Sequence, residues 1–180
     1  MVTPQLFHNA AVLTGKDEWY TPTVVIEAAR DLMGSIDLDP ASCVEANQTV
    51  RASTFYTIND DGLQREWRGN TWCNPPFGSG NLRAFHKKLT HHISTGDIPK
   101  ACFLTPVGSS LHVLECIDNA DATVFWAGCY GWTGAAADKK RGRLHRPYVS
   151  PWNWGPLMIA CYGVTIEDTR QAFQHIGVVR

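Results

Sequence analysis

Short apolar strands that alternate with helical stretches are the feature that most limits the fold of this chain. Apolar or β-branched segments bounded by Gly, Pro, Asn or Asp predict strands, and apolar residues at helical spacing predict helices. The predicted strands cover residues 35–39, 53–57, 69–73, 101–105 and 122–127, and the predicted helices cover residues 82–93 and 110–117. This alternation is typical of βαβ units, so we expect an α/β fold with a mostly parallel sheet flanked by helices.

The alternation is preceded by a helix and interrupted once. Thr21-Pro22 has the form of an N-cap followed by proline at the first helical position, and Gly34 would end that helix. Residues 128–156 break the pattern because they are rich in Gly, Pro, Trp and basic side chains, and a strand at 157–162 and a helix at 166–175 follow. We expect one compact domain over residues 1–180, with 128–156 as an insertion that carries function.

Composition excludes several classes of protein. There is no run of about 18 apolar residues and no charged-then-apolar N-terminal segment, so we expect a cytoplasmic protein with no membrane partner. The six cysteines include no CxxC pair, which favours buried free thiols over disulfides or a metal site. The net charge of −1 hides an asymmetry, since residues 1–75 carry five basic and ten acidic side chains and residues 76–180 carry eleven and seven.

Polar segments follow three of the predicted strands. Ligands of open α/β sheets bind beyond the carboxyl ends of the strands, so these segments form the candidate site. They are Asp37-Leu38-Asp39-Pro40-Ala41-Ser42, Asn59-Asp60-Asp61-Gly62-Leu63 and Asn74-Pro75-Pro76-Phe77.

The third segment has the chemistry of a receptor for a planar amino group. Two consecutive prolines fix the backbone and donate no N–H, so their carbonyls are available as acceptors. Asn74 Oδ1 and the Pro75 carbonyl could accept the two hydrogens of an exocyclic amine while the Phe77 ring stacks on a base. The alternative interpretation is a simple Pro-Pro loop after a strand.

The motifs of this chain carry a family resemblance. Asn-Pro-Pro-Phe after a strand resembles the Asn/Asp-Pro-Pro-Tyr/Phe motif of adenosylmethionine-dependent amino-methyltransferases. The wider set resembles the compact phage-type Dam family of DNA adenine-N6 methyltransferases over residues 17 to about 126. In chain order, the set is Asp17-Glu18-Trp19-Tyr20-Thr21-Pro22, Leu38-Asp39-Pro40-Ala41-Ser42, Asp61-Gly62-Leu63 with Trp67, and Asn74 to Phe77. The resemblance implies a Rossmann-like methyltransferase fold, S-adenosylmethionine as cofactor and double-stranded DNA as partner.

The resemblance also implies roles for two of the motifs. The leading motif lies against the methionine part of the cofactor, with a plain helix cap as the alternative; its residues are Tyr20, Thr21 and Pro22. The pocket motif would be catalytic, and its residues are Asn74, Pro75, Pro76 and Phe77. Cys73, which precedes that motif, is interpreted as a strand residue rather than a nucleophile.

Acidic residues would hold the rest of the cofactor. Asp39, with Pro40 and Ala41, matches an acidic first-strand motif that accepts hydrogen bonds from the cofactor's ammonium or ribose hydroxyls. Asp60 or Asp61 would bind the adenosine part, with an Asp-Gly turn as the alternative. The Gly-rich loop of the general methyltransferase pattern is absent after the first strand, and only 22 positions separate Asp39 from Asp61, so one βα unit is abbreviated.

The expected reaction is direct methyl transfer. The lone pair of adenine N6 is delocalised into the ring, and hydrogen bonds to Asn74 and Pro75 would direct it at the sulfonium methyl. The protein then contributes positioning and electrostatics without a covalent intermediate.

The insertion is the candidate DNA interface. A base must leave the duplex before its N6 can react, which requires phosphate contacts outside the pocket. The basic side chains of the insertion are Lys139, Lys140, Arg141, Arg143 and Arg146, and its interleaved tryptophans are Trp132, Trp152 and Trp154. A solvated loop and a sheet edge sealed by tryptophan are the alternatives. Since the chain has little room for a separate recognition domain, recognition is assigned to this insertion, and a homodimer could assist it.

The sequence is also compatible with two other functions. The same cofactor and pocket could serve an RNA adenine or a protein glutamine amide, although the basic insertion favours nucleic acid. A catalytically silent nucleic-acid-binding module would keep the fold without the reaction, and the missing Gly-rich loop is its support.

Overall fold

The computed structural model describes residues 20–77, 79–126 and 157–180. The strands in these ranges are β1 (Leu38–Asp39), β2 (Thr54–Phe55), β3 (Thr71–Cys73), β4 (Ala101–Pro106), β5 (Ala122–Trp126), β6 (Leu157–Tyr162) and β7 (Gly177–Val179). The helices are α1 (Thr23–Met33), α2 (Val44–Val50), α3 (Ser79–Ser94), α4 (Leu111–Asn119) and α5 (Ile166–Phe173), together with a 3-10 helix at Gly62–Gln64.

The seven strands form one mixed sheet in the order β2-β1-β3-β4-β6-β5-β7. The pairings among β2, β1, β3 and β4 are parallel, whereas β6 pairs antiparallel with β4 and β5, and β7 pairs antiparallel with β5. Five strands therefore point in one direction, but only three of the six pairings are parallel. The prediction of a mostly parallel sheet is corrected here, because β6 returns between β4 and β5.

Helices cover both faces of the sheet. α1 buries one apolar stripe, which packs in the same core cluster as side chains of α5 and of the sheet. The residues that α1 contributes to this cluster are Val25, Ile26, Ala28, Ala29, Leu32 and Met33. α3 and α4 pack on the other face in a second cluster that also contains Trp67. Successive strand residues alternate between these clusters, so Trp72 joins the first and Cys73 the second.

Most predicted elements are present with shifted ends, and three elements were not predicted: α2, β7 and the 3-10 helix at Gly62–Gln64. α2 exposes most of its polar surface and buries only Val50, so it lacks the apolar stripe that would predict a helix. β7 is a three-residue edge strand. The predicted strand at 35–39 shortens to Leu38–Asp39.

The prediction that Thr21 caps α1 is wrong. Pro22 occupies the N-cap position and no side chain caps this helix end. The Thr21 hydroxyl instead accepts a hydrogen bond from the Asn74 side chain, which is part of the candidate site.

Candidate active site

The carboxyl ends of β1 and β3 lie side by side, because these strands pair in parallel with Leu38 opposite Thr71. Asp39 ends the first strand, and Asn74 follows the second at the same edge. Asn74 Nδ2 donates to Thr21 Oγ1 at 3.4 Å, so the segment before α1 also reaches this edge. The fold thus brings together three motifs that are distant in the sequence.

Asp39 is a buried carboxylate, with only 2% of its surface exposed. Burial raises the pKa of this carboxyl to about 6, although the Ala41 N–H, which donates to Asp39 Oδ1 at 3.3 Å, acts in the opposite direction. Among the described residues, Asp39 has no ion-pair partner. A buried acid without a cation from its own chain is a suitable acceptor for an external donor.

Ser42 supplies a second polar group beside Asp39. Its hydroxyl is close enough to lower the pKa of the Asp39 carboxyl, but the geometry of the pair falls outside hydrogen-bonding limits. Ser42 Oγ is buried and has no hydrogen-bond partner within the described part of the chain. Buried hydroxyls are normally satisfied, so this atom marks a place where a ligand could bind. The sequence motif contained Ser42, but only the structure singles out its hydroxyl.

Gly62 allows the loop after β1 and the turn after β2 to pack closely against each other. A Cβ at this position would stand 2.0 Å from the Pro40 carbonyl oxygen, so no larger side chain fits. The buried Trp67 indole N–H donates to the Gly62 carbonyl at 2.7 Å. The loop after β1 is further fixed to the segment after β2 by the Ser42 N–H, which donates to the Tyr56 carbonyl at 2.8 Å.

We expect Gly62→Ala to destabilise the protein by about 1–3 kcal/mol, because backbone atoms on both sides must move to admit the methyl group. Gly108→Ala is the matched control, since a Cβ there would meet nothing within 4 Å. Thermal unfolding followed by circular dichroism measures both variants. Equal melting temperatures for Gly62→Ala and Gly108→Ala would contradict the close approach to Pro40.

Asp60 and Asp61 both stabilise the turn in which they lie. Asp60 Oδ2 accepts from the Thr57 N–H at 2.8 Å and from the Thr57 hydroxyl at 2.7 Å, and these bonds lower the pKa of Asp60. Asp61 has a left-handed backbone with φ of 52°, and its Oδ1 accepts from the Leu63 N–H at 3.2 Å. The turn interpretation therefore accounts for one oxygen of each carboxylate.

The pocket motif is anchored at both of its ends. Pro75 is buried and Pro76 is exposed, while Phe77 is half-buried and packs against both core clusters. The hydrogen bond to Thr21 fixes the amide nitrogen of Asn74 on the side of α1. The rigid proline pair then sets where the Pro75 carbonyl points.

Tyr20 ties the leading motif to the loop after β1. The Cys43 thiol donates to the Tyr20 hydroxyl at 3.6 Å and accepts from the Ala46 N–H at 3.4 Å, which caps α2. Neither contact of Cys43 was predicted from the sequence, because a thiol is an unusual N-cap.

Cys73 is a buried strand residue, as expected from the sequence. Burial, and secondarily the nearby Asp39 carboxylate, raise the pKa of its thiol well above the ordinary value. A thiol held in its neutral form is a poor nucleophile. Asp37, which directly precedes β1, accepts from the N–H of Asn70, the residue directly before β3, at 2.8 Å.

Several predicted site residues lie outside the described residues. They are Lys139, Lys140, Arg141, Arg143 and Arg146, with Trp132, Trp152 and Trp154. In the ranges that are described, no group of His, Cys, Asp or Glu could hold a metal ion, and no helix is long and apolar enough to cross a membrane.

An open depression of about 470 Å³ lies at the opposite end of the sheet and is not part of this site. It is lined by residues that precede β4 and β5 or follow β6, including Lys100, Asp121 and Gly163. Its Asp121 carboxylate accepts from the Gly163 N–H at 2.6 Å, so the polar groups there bind each other. The chemistry of the strand carboxyl ends, rather than the size of a depression, locates the candidate site.

The chain matches a known family model over most of its length. Residues 10–145 match the family model of DNA N-6-adenine-methyltransferase (Dam), which is more than half of the chain. No curated protein and no solved structure is similar enough to count as a match. The matched range includes β1, β3 and the pocket motif between β3 and α3. The chain belongs to the DNA N-6-adenine-methyltransferase (Dam) family.

Proposed function

We propose that this chain transfers a methyl group from S-adenosylmethionine to N6 of an adenine flipped out of double-stranded DNA. The proposal depends on one observation. Asn74 and the loop that begins at Asp39 lie at the same edge of the sheet, in a chain that belongs to this family. The parallel strands β2, β1, β3 and β4, with helices on both faces, support a Rossmann-like methyltransferase fold.

The residues after β1 fit the polar part of the cofactor. Asp39 offers a buried acceptor to an ammonium or to ribose hydroxyls, and Ser42 Oγ lacks a partner in the described chain. Pro40 and Ala41 shape the same loop, and the Ala41 N–H orients the carboxylate. When bound, the cofactor supplies an electrophilic methyl group on a sulfonium.

Two further segments would complete the cofactor site. Tyr20, Thr21 and Pro22 contact or adjoin both the β1 and β3 loops, as a segment against the methionine part requires. Asp61 is the better candidate for the adenosine part, because Asp60 Oδ2 already accepts two hydrogen bonds from Thr57.

The pocket motif would act by positioning the amine. Asn74 Oδ1 and the Pro75 carbonyl would accept the N6 hydrogens, and Thr21 holds the amide of Asn74 in one orientation. Phe77, anchored against both core clusters, would stack on the base. These contacts favour a nitrogen whose lone pair points at the methyl group, and preorganised acceptors of this kind contribute most to the rate.

The affinity for S-adenosylmethionine is expected to depend on the protonation of Asp39. Only the carboxylate form can bind an ammonium, and the pKa of this group in the free protein is about 6. Affinity should be highest from about pH 7 up to the pKa of the cofactor's own ammonium, and it should fall roughly tenfold per pH unit well below the pKa of Asp39. Calorimetric titrations between pH 5 and pH 8 measure this dependence, and Asp39→Asn should flatten it. A wild-type affinity that does not change over this range would refute the assignment.

Label transfer to competing substrates tests the proposed reaction. The protein is incubated with methyl-labelled S-adenosylmethionine and, separately, with unmethylated duplex DNA, RNA of the same sequence and a protein mixture. We expect label in the DNA alone. Label in RNA or in protein glutamine would change the substrate, and measurable cofactor binding with no transfer to any of the three would overturn the proposed reaction. The absence of cofactor binding would favour a silent DNA-binding module.

The contact between the insertion and DNA stays a proposal that rests on charge. The five basic residues at 139–146 are clustered in a chain with a net charge of −1. Phosphate contacts of such residues would supply salt-dependent affinity.

A further inference from the structure

α3 directly follows the pocket motif and carries no acidic side chain among its sixteen residues. Its apolar face is buried in the core through Leu82, Phe85 and Leu89. The opposite face is exposed and includes Arg83 and Lys87, which are one helical turn apart. None of these exposed residues is needed for packing against the sheet.

The two cations border an open depression. It measures about 430 Å³ and is lined by Gly80, Arg83, Ala84 and Lys87. The small residues Gly80 and Ala84 leave room between the longer side chains, and a Cβ at Gly80 would meet nothing within 4 Å. The neighbouring Lys88 is different, because its ammonium donates to the Leu63 carbonyl at 2.8 Å and lies over the Trp67 ring.

The charges of this face are weakly compensated. The Lys87 ammonium has no ion-pair or hydrogen-bond partner among the residues that the structure describes. Arg83 is 64% exposed and approaches Glu115 of α4 only at 3.9 Å, near the limit for an ion pair. An exposed pair of this length contributes little and can be exchanged for another anion.

We infer that Arg83 and Lys87 form a phosphate-binding surface for the DNA strand that carries the target adenine. This inference rests on the proposed function. α3 starts five residues after Asn74, so Arg83 lies about 6 Å and Lys87 about 12 Å along the helix from its first residue. A flipped base at Asn74 requires its backbone to be held close to the pocket, and these two cations lie in the first three turns of the helix that follows the pocket motif.

A negative charge introduced between the two cations gives the sharpest test. Ala84→Glu places a carboxylate between the two cations, and Ala84→Gln adds a side chain of the same size without charge. Ala84 is exposed, so both variants should fold. We expect Ala84→Glu to weaken binding to a short unmethylated duplex about tenfold more than Ala84→Gln does, with equal affinity for S-adenosylmethionine.

The salt dependence of binding identifies the contact as one to phosphate. Each neutralised phosphate contributes about 0.9 to the slope of log affinity against log salt. The double variant Arg83→Gln/Lys87→Gln should lower this slope by about 1–2. Arg51→Gln/Arg170→Gln removes the same charge from side chains that are 60% and 54% exposed elsewhere, and should leave the slope unchanged.

The outcomes separate this inference from the proposed function. A wild-type protein that methylates DNA, together with an unchanged slope in Arg83→Gln/Lys87→Gln, would overturn the surface alone. An equal loss of slope in both double variants would also overturn it, because general charge would then explain the effect. A wild-type protein that neither binds nor methylates DNA would overturn both conclusions.

Discussion

Replacing Asn74 by alanine is expected to lower the rate of methyl transfer by roughly 10²–10³-fold, the effect of removing one preorganised polar contact from a reacting group. Asn74 lies at the carboxyl end of β3, and its amide nitrogen is held by Thr21. The side chain would contact the reacting amine and not the polar part of the cofactor. The affinity for S-adenosylmethionine should therefore change by less than about threefold.

Two control variants test whether the loss of rate in Asn74→Ala is specific to this side chain. Asn74→Asp keeps an acceptor oxygen but cannot donate to Thr21, so an intermediate rate is expected. Asn119→Ala removes an exposed amide that donates to the Glu115 carbonyl at the end of α4, and it should leave the rate unchanged. Single-turnover transfer to a duplex measures all three, and full activity of Asn74→Ala would exclude this residue from the pocket.

Asp39→Asn is expected to stabilise the free protein and to weaken cofactor binding. Burial in the folded protein raises the pKa of this carboxyl from 3.8 to about 6, so the cost in stability develops as the pH rises between these two values and is complete above about pH 6. Asparagine removes that cost and keeps an oxygen for the Ala41 N–H. The gain at pH 7.5 should be about 1–3 kcal/mol, and it should shrink toward pH 4.5, where the carboxyl is protonated in the folded protein.

Loss of the charge should weaken S-adenosylmethionine binding roughly 10–100-fold, the range for hydrogen bonds to a charged group. Asp31→Asn on the exposed side of α1 is the control and should change neither quantity. Chemical denaturation and calorimetry measure the two effects on the same samples. A variant that is less stable at pH 7.5, or that binds the cofactor as the wild type does, would show that Asp39 has a structural role instead.

The parts of the fold that the sequence predicts are those with a strong local signal. β6 agrees with the predicted strand because six consecutive apolar residues predict it, and Pro40 correctly marks the end of β1. The direction of β6 has no local signal, since strand pairing depends on contacts between distant residues. The sequence therefore predicted the strand but not the mixed sheet.

The candidate site also has parts that the sequence predicts and parts that only the structure reveals. The placement of Asp39 and of the residues from Asn74 to Phe77 at one edge of the sheet was predictable, because they lie at the carboxyl ends of two predicted parallel strands. The abbreviated unit between Asp39 and Asp61 is present as one short helix, α2, and the two-residue strand β2. The contact from Asn74 to Thr21 and the buried Ser42 hydroxyl arise only in three dimensions, so no spacing rule would have found them.

Mass spectrometry of the methylated nucleoside decides whether this chain is an adenine-N6 methyltransferase that uses Asn74. Unmethylated duplex DNA is incubated with the protein and S-adenosylmethionine that carries a deuterated methyl group, then digested to nucleosides and analysed by mass spectrometry. We expect deuterated N6-methyl-2′-deoxyadenosine from the wild type, and at least a hundredfold less from Asn74→Ala at equal time. Deuterium on another nucleoside, or equal product from both proteins, would contradict it.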